Sequence, residues 1–351
     1  MFEYLLFLSS GLFLGWSLGA NDSANIFGTA VGTKMLKFTT AAIIASVFIV
    51  LGAVISGQNT TETLNALGGV NTLPAGFAVS LAAALAVRVM LKSGISVSIS
   101  QTIVGAIIGW NVYNHQETDS QTLINILSCW VMCPVVSGLI AVSLYLLVKK
   151  ILHCSKLHIL WQDFIVRQGM ILTTALGGFA LGANNMADVV GVFVGSCAFS
   201  DASFGGVINL SGIQVLFLIG AIAVSVGVFT YSKKVISTVG KGVLTFSPVV
   251  AWIVILSQSL VLILFSSEGL ESFLISIGLP PLPAVPVSST QAVIGAIVGI
   301  GLAKGGKEIR WSLVGKLVCG WVTSPLMAFI LSYILLSFME NVFRQPVIAI
   351  M

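Results

Sequence analysis

Two short stretches set polar side chains into otherwise apolar surroundings, and chemistry could occur there. LGANDSANIFGTAVGT (18–33) carries Asn21, Asp22 and Asn25, and LGANNMADVVGVFVGS (181–196) carries Asn184, Asn185 and Asp188, at a constant offset of 163 residues. The residue types swap across the pair: Asp22 matches Asn185 and Asn25 matches Asp188, so each copy holds one carboxylate. Neither motif contains Lys or Arg to neutralise it. A carboxylate at bilayer depth is costly unless it is paired, hydrated or coordinated. Carboxylate, amide and hydroxyl oxygens together suit a hard cation such as Na⁺. A carboxyl that carries a proton is the alternative. Interhelical hydrogen bonding would explain single Asn residues, but poorly explains two carboxylates inside a duplicated motif.

A second pair of motifs is rich in hydroxyls. ISVSISQTIVGAIIG (95–109) aligns with VPVSSTQAVIGAIVG (285–299) at an offset of 190. Ser98, Ser100, Gln101 and Thr102 precede one apolar helical run, and Ser288, Ser289, Thr290 and Gln291 precede the other. Hydroxyls at a helix N-terminus, with free backbone N–H groups and the positive end of the dipole, make an anion site that needs no Lys or Arg. Two such half-sites facing each other would surround a tetrahedral oxyanion. Ordinary N-capping by Ser and Thr is the simpler role. Ser98, Ser100, Thr102, Ser288, Ser289 and Thr290 are the candidate anion ligands. The Asn and Asp residues, with Gln101 and Gln291, are the candidate Na⁺ ligands.

The elements that must position these groups are membrane helices. Of 351 residues, 57% are hydrophobic and 8% charged, against about 25% charged in soluble domains. A crossing needs roughly 20 apolar residues, and such runs fill the chain, five in each half. The net charge of +4 comes without aromatic-interleaved basic patches, which excludes nucleic-acid binding. His115, His153 and His158 fall between the runs and form no catalytic constellation, which argues against an enzyme. The five cysteines form no CxxC pair and read as packing residues. Gly19 and Gly182, just before the Asn residues, predict a break in their helices that exposes backbone groups to a ligand cavity.

Alternate loops hold 13 of the 16 basic residues, at Lys34/Lys37, Arg88/Lys92, Lys149/Lys150/Lys156, Lys233/Lys234/Lys241 and Lys304/Lys307/Arg310. The positive-inside rule then puts both termini outside. An odd number of crossings per half gives two related halves opposite orientations. CWVMCP, ending at Pro134, and GWVTSP, ending at Pro325, add a third ordered match at an offset of 191. The expectation is an all-α polytopic membrane protein, an inverted-topology repeat with broken or re-entrant helices and about ten to twelve segments: a first repeat over 1–150, a cytoplasmic connector over 151–158 and a second repeat over 159–351. Secondary transporters use this plan, with the substrate at the repeat interface.

The duplicated GAND-like motif, followed by a duplicated Ser/Thr-rich segment ending in VGAxxG-like runs, resembles the inorganic phosphate transporter (PiT) family over nearly the whole chain. The resemblance implies import of inorganic phosphate by Na⁺ or H⁺ symport, no cofactor, residence in the cell membrane and often a homodimer. In two places the chain departs from the family pattern. The second motif reads GANN, with Asp188 three residues on, and Gln101 and Gln291 stand where many relatives have His. Without those His residues, Na⁺ is favoured over H⁺. Sulfate, also tetrahedral, is the nearest alternative cargo, and a passive channel is disfavoured by the duplicated broken helices.

Overall fold

The computed structural model describes residues 2–155, 158–204, 208–239, 247–278, 282, 284–307 and 309–348. Lys156 and Lys241 of the basic loops lie outside these. The chain is helical: α1 (Phe2–Ser23), a π-helical turn over Ala24–Gly28, α2 (Thr29–Gly32), α3 (Phe38–Ser56), α4 (Thr61–Leu67), α5 (Leu73–Lys92), α6 (Ile99–Tyr113) and α7 (Ser120–Ser155) fill the first half. The second half has α8 (Ile159–Val190), a 3₁₀ turn over Gly191–Ser196, α9 (Gly212–Thr230), α10 (Ser232–Val239), α11 (Pro248–Leu264), α12 (Glu268–Ser276), α13 (Ser289–Ala303) and α14 (Trp311–Asn341). Between the 3₁₀ turn and α9, an antiparallel hairpin pairs Ala202–Phe204 with Ile208–Leu210.

Among the described residues six helices are long and apolar enough to cross a membrane, and α11 with α12, bent by 68°, makes a seventh. Adding α1 and the two 15-residue helices α6 and α13 reaches the ten segments expected. At about 1.5 Å rise per residue, α6 and α13 are too short to cross alone. Each is entered through an extended stretch, 95–98 and 284–288, that lies at depth, with Val97, Val285 and Val287 fully buried. Large apolar side chains on α3, α7 and α14, such as Ile43, Val131 and Val322, are exposed, as a lipid-facing surface requires.

Packing partners reciprocate between the halves. The helix α1 packs on α9 and α5, as α8 packs on α3 and α11; α6 packs on α14, as α13 packs on α7. The contacts are close because glycine allows them. A Cβ at Gly19 would overlap the Val224 carbonyl and one at Gly182 the Ile49 carbonyl; likewise Gly105 meets the Pro325 carbonyl and Gly295 the Pro134 carbonyl. This corrects the expectation for Gly19 and Gly182. Both α1 and α8 run unbroken through them, and the regular helix gives way only afterwards, in the π-helical turn after Ser23 and the 3₁₀ turn after Val190. These glycines bring neighbouring backbones together rather than interrupt their own.

Candidate functional site

The polar motifs end α1 and α8 where these meet the starts of α6 and α13, inside the hydrophobic core. Asn21, Asp22, Asn25, Asn184, Asn185 and Asp188 are each at most 7% exposed. Asp22 Oδ2 accepts from Ser289 Oγ at 2.8 Å, and Oδ1 accepts from Asn21 Nδ2 at 2.5 Å. Asn25 Nδ2, 3.5 Å from Asp22 Oδ1, donates to Ser289 Oγ at 3.0 Å and Thr290 Oγ1 at 3.1 Å. Asn21 also donates to the Val97 carbonyl at 2.8 Å, which Thr290 Oγ1 shares at 3.3 Å.

The second copy mirrors this with its partners exchanged. Asp188 Oδ2 accepts from Ser100 Oγ at 2.6 Å and from Asn185 Nδ2 at 3.1 Å. Asn185 donates to Ser100 Oγ at 2.9 Å and to the Val287 carbonyl at 3.0 Å. Each carboxylate therefore takes its hydroxyl donor from the other half of the chain. Among the described residues no Lys or Arg pairs with either; the ion pair Arg167–Asp163 lies on the surface.

Not all the candidate residues converge. Ser98 and Ser288 are N-caps, accepting from the backbone N–H of Gln101 and Gln291 at 3.2 Å. Thr102 Oγ1 bonds back to the Ser98 carbonyl at 2.6 Å, within its own helix. Asn184 braces the extended entry to α13, donating to the Val285 carbonyl at 3.2 Å while its Oδ1 accepts from Val287 N–H at 2.8 Å. Ser96 was absent from the candidates, yet its hydroxyl donates to Asn21 Oδ1 at 2.9 Å. It belongs to the same hydroxyl-rich stretch, so its type was a signal, but its role depends on the extended backbone before α6.

Four buried oxygens of the candidate residues have no hydrogen-bond donor: Asp188 Oδ1, Asn185 Oδ1, Gln101 Oε1 and Gln291 Oε1. Buried acceptors without donors cost free energy, and oxygen-only acceptors are the ligands of hard cations. The candidate residues thus offer hydroxyl and amide donors, engaged with the carboxylates and with one another, and amide and carboxylate oxygens that lack a donor.

Known proteins resemble this chain over nearly its whole length. The sequence model of the phosphate transporter family matches residues 18–272 and 282–350. The "Putative phosphate permease MJ0630" of Methanocaldococcus jannaschii is 27% identical over 332 residues, 95% of this chain and 93% of its own. "Sulfate permease CysP" of Bacillus subtilis is 28% identical, over 93% of this chain and 85% of its own. A solved structure described as "The sodium-dependent phosphate transporter" superposes with a TM-score of 0.75 at 21% identity, covering 97% of this chain and all of that one, so the two share a fold. The chain, a multi-pass helical membrane protein and not an enzyme, belongs to the phosphate transporter family.

Proposed function

We propose that the protein imports inorganic phosphate by Na⁺ symport, alternating access at the interface between an inverted repeat over 1–150 and its partner over 159–351, joined by the cytoplasmic connector 151–158. The observation that carries the coupling ion is the set of unpartnered buried oxygens at Asn185, Asp188, Gln101 and Gln291. Three of the four are amide oxygens, which do not take up protons near neutral pH. A proton would satisfy Asp188 Oδ1 alone, whereas a hard cation accepts amide and carboxylate oxygens alike. Asp22, Asp188, Asn21, Asn25, Asn185 and the two Gln residues are the ion ligands in this reading. Ser100, Ser289 and Thr290 turn to the anion at the N-terminal ends of α6 and α13.

Charge counting supports the coupling. HPO₄²⁻ beside two ionised Asp residues brings four negative charges together, and each helix N-terminus offsets only about half a charge. At least two Na⁺ ions per phosphate follow. The bias of basic residues to alternate loops supports an orientation with both termini outside the cell membrane. The structural neighbour, a transporter named for sodium and phosphate, agrees with this reading.

The experiment is uptake of labelled phosphate into proteoliposomes at fixed pH and membrane potential under a Na⁺ gradient alone. Accumulation that follows the gradient supports the proposal. Uptake that ignores Na⁺ and follows an imposed pH gradient assigns the Asp pair to protons instead. A sulfate arm belongs beside it, because a relative of similar identity is named a sulfate permease; saturable sulfate uptake without phosphate uptake would transfer the mechanism to the other oxyanion.

A further inference from the structure

A small pocket, partly open to solvent, reaches inward to Ser96; its lining includes Gly94, Ile95, Tyr231 and Lys234 and its volume is about 30 Å³, room for one water and too little for phosphate. Its inner wall is Ser96, 3% exposed, which bonds Asn21 and through it Asp22. Tyr231, at the end of α9, forms part of its outer wall. The Tyr231 hydroxyl accepts from Arg88 Nη1 at 3.1 Å, the Arg88 Cζ stands 5.1 Å from the ring centroid, and Lys234 Nζ stands 5.5 Å from it. The Trp16 ring lies 5.4 Å from that of Tyr231. Two hydrogen bonds and one small cavity thus separate the Asp22 carboxylate from an aromatic wall held under two cations.

The matching region of the other half is closed differently. Asn59 donates to the Ser266 carbonyl at 3.1 Å, Thr60 to the Asn184 carbonyl at 3.0 Å and Thr63 to the Ala284 carbonyl at 2.6 Å. Pro286 occupies the position that matches Ser96, so no hydroxyl leads inward there. Side chains of the 59–63 segment thus bond backbone carbonyls on that side, and no cation is among these contacts. On the first side Arg88 makes no ion pair among the described residues, and its planar fork of N–H donors fits a phosphate or sulfate through two parallel hydrogen bonds.

We propose that Arg88, Tyr231 and Lys234 form an exit subsite for the transported oxyanion: Tyr231 closes the path behind Ser96, and when it turns aside the guanidinium that it held receives the anion leaving Asp22's side. The proposal rests on the transport reading above, and its test separates the two. Full-length protein, with exposed Cys154 and Cys319 changed to Ser, is reconstituted, and Lys92→Cys on the same helix marks the Arg88 face through a membrane-impermeant thiol reagent. The half-saturating phosphate concentration for exchange is then measured on each face.

Arg88→Gln is expected to raise it about tenfold on the Arg88 face, as loss of a charge-assisted contact does, and to leave the opposite face within about twofold; Arg88→Lys falls between. Equal shifts on both faces, or none, overturn the proposal. Tyr231→Phe keeps the ring and removes the acceptor for Arg88. It is expected to speed labelling of Ser96→Cys from the Arg88 face several-fold, and unchanged labelling overturns the wall. That readout needs no transport: if the wild type exchanges no phosphate while Tyr231→Phe still opens Ser96→Cys, the transport reading fails and the wall stands.

Discussion

At the residue scale, the two Asp carboxylates differ in what they lack. Asp22 has donors on both oxygens, whereas Asp188 keeps one oxygen without a donor. Ser289→Ala removes a proposed anion ligand; hydrogen bonds to charged groups are worth about 1.5–3 kcal/mol, so the apparent phosphate affinity of uptake should fall by roughly ten- to a hundredfold. Asp22→Asn, which keeps the shape and removes the charge, should abolish Na⁺-stimulated uptake in the same assay. Ser98→Ala is expected to act elsewhere: as loss of an N-cap it should cost about 0.5–2 kcal/mol of stability, read as a lower melting temperature with unchanged phosphate affinity. The sequence displayed all these polar residues through the duplication. It could not say which hydroxyl caps and which faces the site, because Ser98 and Ser100 are two positions apart and only the first residue of the helix decides between them.

At the scale of elements, most helices were legible as apolar runs, since lipid leaves little choice but to satisfy the backbone within each segment. The short α6 and α13 were legible from their Ser-rich starts. The role of Gly19 and Gly182 was not: a glycine can interrupt a helix or admit a neighbour, and only the neighbouring carbonyls of Val224 and Ile49 decide. The 68° bend between α11 and α12 and the hairpin over 202–210 likewise depend on tertiary surroundings. Gly182→Ala is expected to force α8 away from α3, reducing the yield of monodisperse protein in detergent and abolishing transport. Gly32→Ala, where a Cβ meets nothing within 4 Å, should leave both unchanged. Size-exclusion profiles of the two variants side by side check the contrast.

At the scale of the whole molecule, the loop charges make a topological prediction: a membrane-impermeant thiol reagent should reach Lys149→Cys only after the membrane is opened, and ready labelling in intact cells would reverse the assigned orientation. The crossed hydrogen bonds have a wider consequence. Because Ser289 serves Asp22 and Ser100 serves Asp188, neither half contains a complete set of partners for its own charge. Produced as two separate polypeptides, 1–150 and 159–351 should each be unstable and inactive alone, yet assemble and transport when made together in one cell. A complementation of that kind treats the chain as two interlocking subunits that happen to share a peptide bond, each holding the counterpart of the other's charge.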